Sequence, residues 1–155
     1  MARVFGVKLG VLTLFCDAAK AAAALAFGSF AAGDMGLFIA GSTCIAGHCF
    51  PLCYGFRGGK GVSVGAAIAF AIDWRVGLSC VGVFLLSVLM SRKISLGSIS
   101  AAAVLFVSAA AFQVSPPKLL LALFAAALVI NRHAENMERL HNGTEPDVRF
   151  RRNRI

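Results

Sequence analysis

The residues that could do chemistry lie in short basic stretches between apolar runs. The most informative stretch reads AGHCFPLCYGFRGGKGVS and ends at Ser63. Gly58, Gly59 and Gly61 leave its backbone free to adopt positive φ. Successive exposed N–H groups in such a loop form a nest for an anion. A helix starting just after Gly61 adds its positive dipole end, and Lys60 adds a full charge. The chemistry this predicts is phosphate binding. It is not a Walker A loop, because Gly61 stands where Ser or Thr is required. The plainer alternative is a flexible glycine-rich connection whose cations set topology.

His48 precedes this loop, with Cys44, Cys49 and Cys53 around it. Zinc needs three or four converging ligands. Cys49 and Cys53 share a helix face from which His48 is displaced, so no metal is expected and a packed or hydrogen-bonded histidine is. The five cysteines lie in or beside apolar segments and read as small hydrophobes rather than a disulfide framework. Asp17 and Lys20 share a face of an apolar helix; they either pair with each other or serve a ligand cavity. His133 and Asn136 share another face. His133 can donate to a phosphate oxygen or carry a proton, and Glu135 and Arg139 read as a solvated pair. Ser95 follows Arg92 and Lys93, and its hydroxyl can cap a helix or hold an anion. No Ser-His-Asp arrangement stands out, and no H-x-x-x-x-D signature occurs, since Glu138 follows His133 at that spacing. The set suits a ligand with phosphate outside the membrane and a lipid chain inside it.

These groups must be positioned by membrane helices. Of 155 residues, 59% are hydrophobic and 14% charged, with mean hydropathy +0.81. Soluble domains carry about 25% charged residues. Apolar segments fall at 9–30, 36–54, 62–72, 76–90, 94–114 and 119–130. A signal peptide is disfavoured because Asp17 and Lys20 interrupt the first segment. Pro116 and Pro117 are expected to end the fifth segment. The prediction is an all-α, polytopic membrane helix bundle of about six transmembrane helices, forming one domain over 1–155, with a basic cytoplasmic tail at 131–155. Several segments are short and rich in Gly and Ala, so a compact bundle, in a locally thinned bilayer, is expected. With six spans, twelve Lys and Arg fall on one side and only Arg75 and Lys118 on the other. The positive-inside rule then puts both termini in the cytoplasm. The net charge of +8 is explained by topology and anionic ligands, not by nucleic acid. The terminal RFRRNRI reads as an electrostatic attachment to anionic lipid.

The motifs resemble those of the bacterial membrane-embedded acyl-phosphate:glycerol-3-phosphate acyltransferases. GHCFPLCYGFRGGKGVS is similar to that family's G-H-x-[FY]-P-x-x-x-G-F-[KR]-G-G-K-G-V-[AS]. RVFGVKLGVLTLFCDAAKA, SRKISLGSI and RHAENMERLHNGTEPDVRF resemble three further segments, in order, over nearly the whole chain. The resemblance implies acyl transfer from acyl-phosphate to the 1-hydroxyl of glycerol-3-phosphate, giving lysophosphatidic acid for phospholipid biosynthesis in the inner membrane. It implies that Lys60, Gly58, Gly59 and Gly61 bind phosphate, and that Ser95, His133 and Asn136 line the polar pocket. Lys60 and His133 are the catalytic candidates, and His48 matches the family histidine before the loop. No cofactor is implied. The implied partners are the two substrates and the bilayer, with other phospholipid-synthesis proteins as candidates.

The family pattern has seven spans and a first signature, S-G-N-x-G-A-T-N, which this sequence does not contain. The site is therefore expected to lack one wall. Three readings stay open: a start further upstream, a divergent paralogue acting as a non-catalytic membrane subunit, or a chain completed by a partner. A small transporter is a further alternative, raised by Asp17 and Lys20, although no internal repeat supports it.

Overall fold

The computed structural model describes residues 7–148. Among them the elements are helices: α1 (Val7–Cys49), a short 3-10 turn (Leu52–Tyr54), α2 (Val62–Ile72), α3 (Trp74–Ser91), α4 (Ile94–Ala111), α5 (Pro116–Asn131) and α6 (Ala134–His141). Arg3 and the 149–155 tail lie outside the described residues.

Helix α1 is not a rod. Its 43 residues break at Ala32 (φ −147°, ψ 28°) and Gly33 (φ 57°, ψ −139°). The Gly33 conformation is closed to side chains with a Cβ. The arms 7–31 and 34–49 fold back against each other. Gly28 and Gly36 meet backbone to backbone, and a Cβ on Gly36 would run into the Gly28 carbonyl oxygen. Further along, Leu25 and Leu121 pack on Gly41. In lipid, apolar burial does not drive helices together, so close packing through small residues does. The two arms, α2, α3, α4 and α5 make up the six apolar segments expected from the sequence.

Segment ends differ from the sequence expectation for local reasons. The second segment leaves the helix at Cys49, because Pro51 cannot donate and restrains the residue before it. The fourth starts at Trp74, where Asp73 caps the helix through the Arg75 N–H at 2.8 Å. The fifth stops at Ala111. Pro116 and Pro117 do not only end that segment: they open α5, where a missing N–H costs nothing.

Helix α2 sits at the centre and touches α1, α3, α4 and α5. Val64 and Ile68 are fully buried in the core with Leu25, Ile45, Val76 and Leu121. Its 11 residues span only about 16 Å, roughly half of a hydrocarbon core. By contrast α3 and α4, 18 residues each, are long and apolar enough to cross. Large apolar side chains such as Phe30, Phe27 and Met90 point outward, as lipid requires.

The two ends of the bundle differ. At one end the polar groups pair among themselves. Asp34, at the α1 hairpin, takes Ser115 at 2.5 Å and Lys118 at 3.1 Å. Arg75 grips Asp73 with two nitrogens, at 3.0 and 2.8 Å, and stacks on Phe112. The other end holds the glycine loop and the start of α4.

Candidate functional site

The glycine loop is folded tightly onto the end of α1. The Gly59 N–H donates to the His48 carbonyl at 3.1 Å. A Cβ on Gly58 would strike that same carbonyl, and one on Gly59 would strike the His48 ring. Gly61 takes a left-handed φ of 77° and starts α2, so the helix N-terminus follows Lys60 directly, as the sequence predicts.

Lys60 reaches across to α6 and donates to the side-chain amide oxygen of Asn136. The Asn136 amide donates to Glu145 at 2.8 Å, and Arg139 Nε donates to the other Glu145 oxygen at 2.8 Å. Lys93 donates to the Glu145 main-chain carbonyl at 2.7 Å and pairs with Asp147 at 3.1 Å. The Val148 N–H closes onto the Arg92 carbonyl at 2.7 Å. The chain after α6 thus straps back across the α3–α4 turn. Arg132 completes the frame by donating to the Gly58 and Gly59 carbonyls, each at 3.3 Å, with its guanidinium over Phe50.

His133 is 2% exposed, and its Nδ1 bonds the Val129 carbonyl at 2.8 Å. That bond places the proton on Nδ1 and leaves Nε2 as the free ring nitrogen. Burial, with Lys60 nearby, pushes its pKa below the usual histidine range, so it is neutral near pH 7. Burial likewise pushes Lys60 below the usual lysine range, and Arg139 adds to the effect. Burial works against the Glu145 charge, but Ser95, Arg139 and Asn136 facing it more than offset this and hold it at about 2. The Ser95 hydroxyl, in the first turn of α4, is buried and faces the Glu145 carboxylate.

Two hollows adjoin at this end. A polar cleft of about 220 Å³ is lined by Thr13, Asp17, His48, Lys60 and Ser63, among others. An apolar groove of about 210 Å³ runs between Phe70, Val81, Phe84 and Leu105. Leu14 and Val62 line both. The geometry joins a cleft that holds Lys60 and Asp17 to an apolar groove.

Of the residues singled out in the sequence, Lys60 and Asn136 are in direct contact, with His133 beside them and Ser95 facing Glu145. His48 packs its ring against Gly59 and lines the cleft with Lys60. Glu145 was missed, as were Arg132 and Lys93 as parts of the frame. Two acids, Glu145 and Asp147, within an otherwise basic segment are the available signal. Glu135, expected to pair with Arg139, is 3.8 Å away and exposed; Glu145 is the closer partner because the strap returns it. Cys49 is buried and Cys53 exposed, and among the described residues no three metal-ligating side chains converge.

Such an assembly is that of a membrane-embedded helical acyltransferase, and comparison with known proteins agrees. The profile of the family described as glycerol-3-phosphate acyltransferase matches residues 1–143. The glycerol-3-phosphate acyltransferase of Synechococcus sp. (strain JA-2-3B'a(2-13)) is 38% identical over 146 residues, covering 94% of this chain and 73% of that protein. That of Aquifex aeolicus (strain VF5) is 38% identical over 147 residues, covering 92% of this chain and 76% of that protein. The crystal structure of PlsY (YgiH), an integral membrane glycerol 3-phosphate acyltransferase, in its glycerol 3-phosphate form superposes with a TM-score of 0.91. Its identity is 33%, over 96% of this chain and 75% of that one. The lysophosphatidic acid form superposes with a TM-score of 0.90. The chain belongs to the glycerol-3-phosphate acyltransferase family and spans about three quarters of the length of these relatives.

Proposed function

We propose that this protein transfers an acyl group from acyl-phosphate to the 1-hydroxyl of glycerol-3-phosphate, releasing lysophosphatidic acid and phosphate. The observation that carries the reading is the cleft holding Lys60, which shares Leu14 and Val62 with an apolar groove. A phosphate and a hydrocarbon chain on one molecule match those two hollows. The lysophosphatidic acid bound in a structural relative supports the product.

The hydroxyl oxygen attacks the acyl carbonyl, and the carbonyl carbon's bond to the phosphate oxygen breaks. Acyl-phosphate is already activated, so no protein nucleophile is needed. The hydroxyl proton passes to a phosphate oxygen or to the free Nε2 of His133. Lys60, Gly58, Gly59 and Gly61 hold phosphate, and Ser95 and Asn136 orient the glycerol phosphate. His48 stands with the phosphate loop. Rate comes mainly from positioning and from fixed positive charge near the leaving phosphate. The reading places both termini in the cytoplasm of a bacterial inner membrane, so that the soluble substrate reaches the cationic end.

The test is turnover by membranes carrying the chain. We expect lysophosphatidic acid from glycerol-3-phosphate and acyl-phosphate, and none from acyl-CoA. Absence of product with either donor, from protein that is folded and inserted, would favour a non-catalytic subunit.

A further inference from the structure

Asp17 is a carboxylate ten residues into an apolar helix arm, and no step of the reaction uses it. An ionisable group within a membrane span is costly unless it is paired or faces a polar cavity, and it marks function more often than not. Asp17 has two partners on the same oxygen: Lys20 at 2.5 Å and His48 Nδ1 at 3.6 Å. The Lys20 side chain is 56% exposed, whereas that of His48 is 12% exposed. Satisfying the charge of Asp17 requires only Lys20. The largely covered histidine therefore needs a separate explanation.

His48 supplies one. Its carbonyl takes the Gly59 N–H at 3.1 Å, and its ring lies so close that any Cβ on Gly59 would strike Nε2. The imidazole stands between the Asp17 carboxylate on one side and the backbone just before Lys60 on the other. We propose that Asp17 and His48 form a positioning pair: Asp17 sets the orientation of the ring, and the ring sets the Gly58–Lys60 backbone that presents phosphate-binding groups to the cleft. Neither touches a reacting atom. The inference rests on the phosphate-loop reading above. It assigns a task to the hairpin fold of α1, which alone brings residues 17 and 48 together.

Steady-state kinetics in membranes carrying the full chain test it, with each substrate varied in turn. Asp17→Asn and His48→Ala should each raise KM for a phosphate-bearing substrate about tenfold while kcat stays within about threefold. Because Asp17 acts through His48, the double variant should be no worse than His48→Ala alone. His48→Gln, which keeps a nitrogen near the Nε2 position, should recover part of the loss. Lys20→Met should leave KM unchanged. Additive losses in the double variant, or a fall in kcat at constant KM, would overturn the pair. Lys60→Ala separates the two readings. If KM does not move there, the phosphate-loop reading fails; if it moves there and not in Asp17→Asn, only the pair fails. Hydrogen exchange gives a readout independent of turnover and of the His48 variants. In Asp17→Asn the 55–61 loop should exchange faster while α1 is unchanged, and equal exchange in the loop would sink the proposal.

Discussion

In the proposed site Lys60 serves the ligand and Glu145 the frame. Lys60 donates to the Asn136 side chain and lines the cleft. Lys60→Ala should lower kcat/KM about 100-fold, as loss of a charged phosphate contact does; an unchanged rate would remove Lys60 from the site. Glu145 ties Asn136, Arg139 and Lys93 into one network. Its carboxyl is held at about 2, below the ordinary 4.5. The stability it contributes is therefore complete above about pH 4.5 and is lost as pH falls toward about 2. Thermal unfolding in detergent should show that loss, and Glu145→Gln should flatten it. His133 has a pKa below the ordinary 6.5, so its neutral form persists into mild acid. The acid limb of kcat/KM should fall below pH 6.5 and disappear in His133→Asn. A limb above pH 6.5 would contradict a neutral Nε2 as proton acceptor.

At the scale of elements, the α1 hairpin is the decisive piece. Gly36 faces the backbone of Gly28, which cannot step aside as a side chain can. Gly36→Val should cost about 1–3 kcal/mol, the usual range for overpacking. Gly82, on α3, has open space where a Cβ would stand. Gly82→Ala should be neutral or stabilising by up to about 1 kcal/mol, since alanine is the better helix former. Equal responses to unfolding in detergent for the two variants would mean that the arms do not touch. The hairpin was legible only in outline. Two apolar segments around a short polar interruption, with Gly33 and Asp34, point to a turn. The contact between Gly28 and Gly36 depends on both arms' rotation, which a membrane sequence with apolar residues on every face does not encode locally.

For the whole molecule, the two polar ends have opposite characters. One is closed by Asp34–Lys118 and Asp73–Arg75. The other presents Lys60 and the strap after α6. The exposed Cys53 reports on that second end. A membrane-impermeant thiol reagent should label it in inverted vesicles and not in intact spheroplasts. Labelling in spheroplasts would reverse the proposed orientation.

What the sequence by itself determined is the class and the chemistry: apolar runs that only lipid can solvate, and a glycine loop with a lysine ahead of a helix. These are local properties, set by composition and by spacing within a few residues. Only the tertiary structure decided which groups meet. Lys60 and Asn136 lie 76 positions apart, and Lys93 and Glu145 lie 52 apart. Asp17 finds His48 through a hairpin, and Glu145 returns on a strap that composition marks only as a polar tail. Contacts of that kind depend on how helices rotate and cross, and close packing of small residues settles this once every helix has its neighbours.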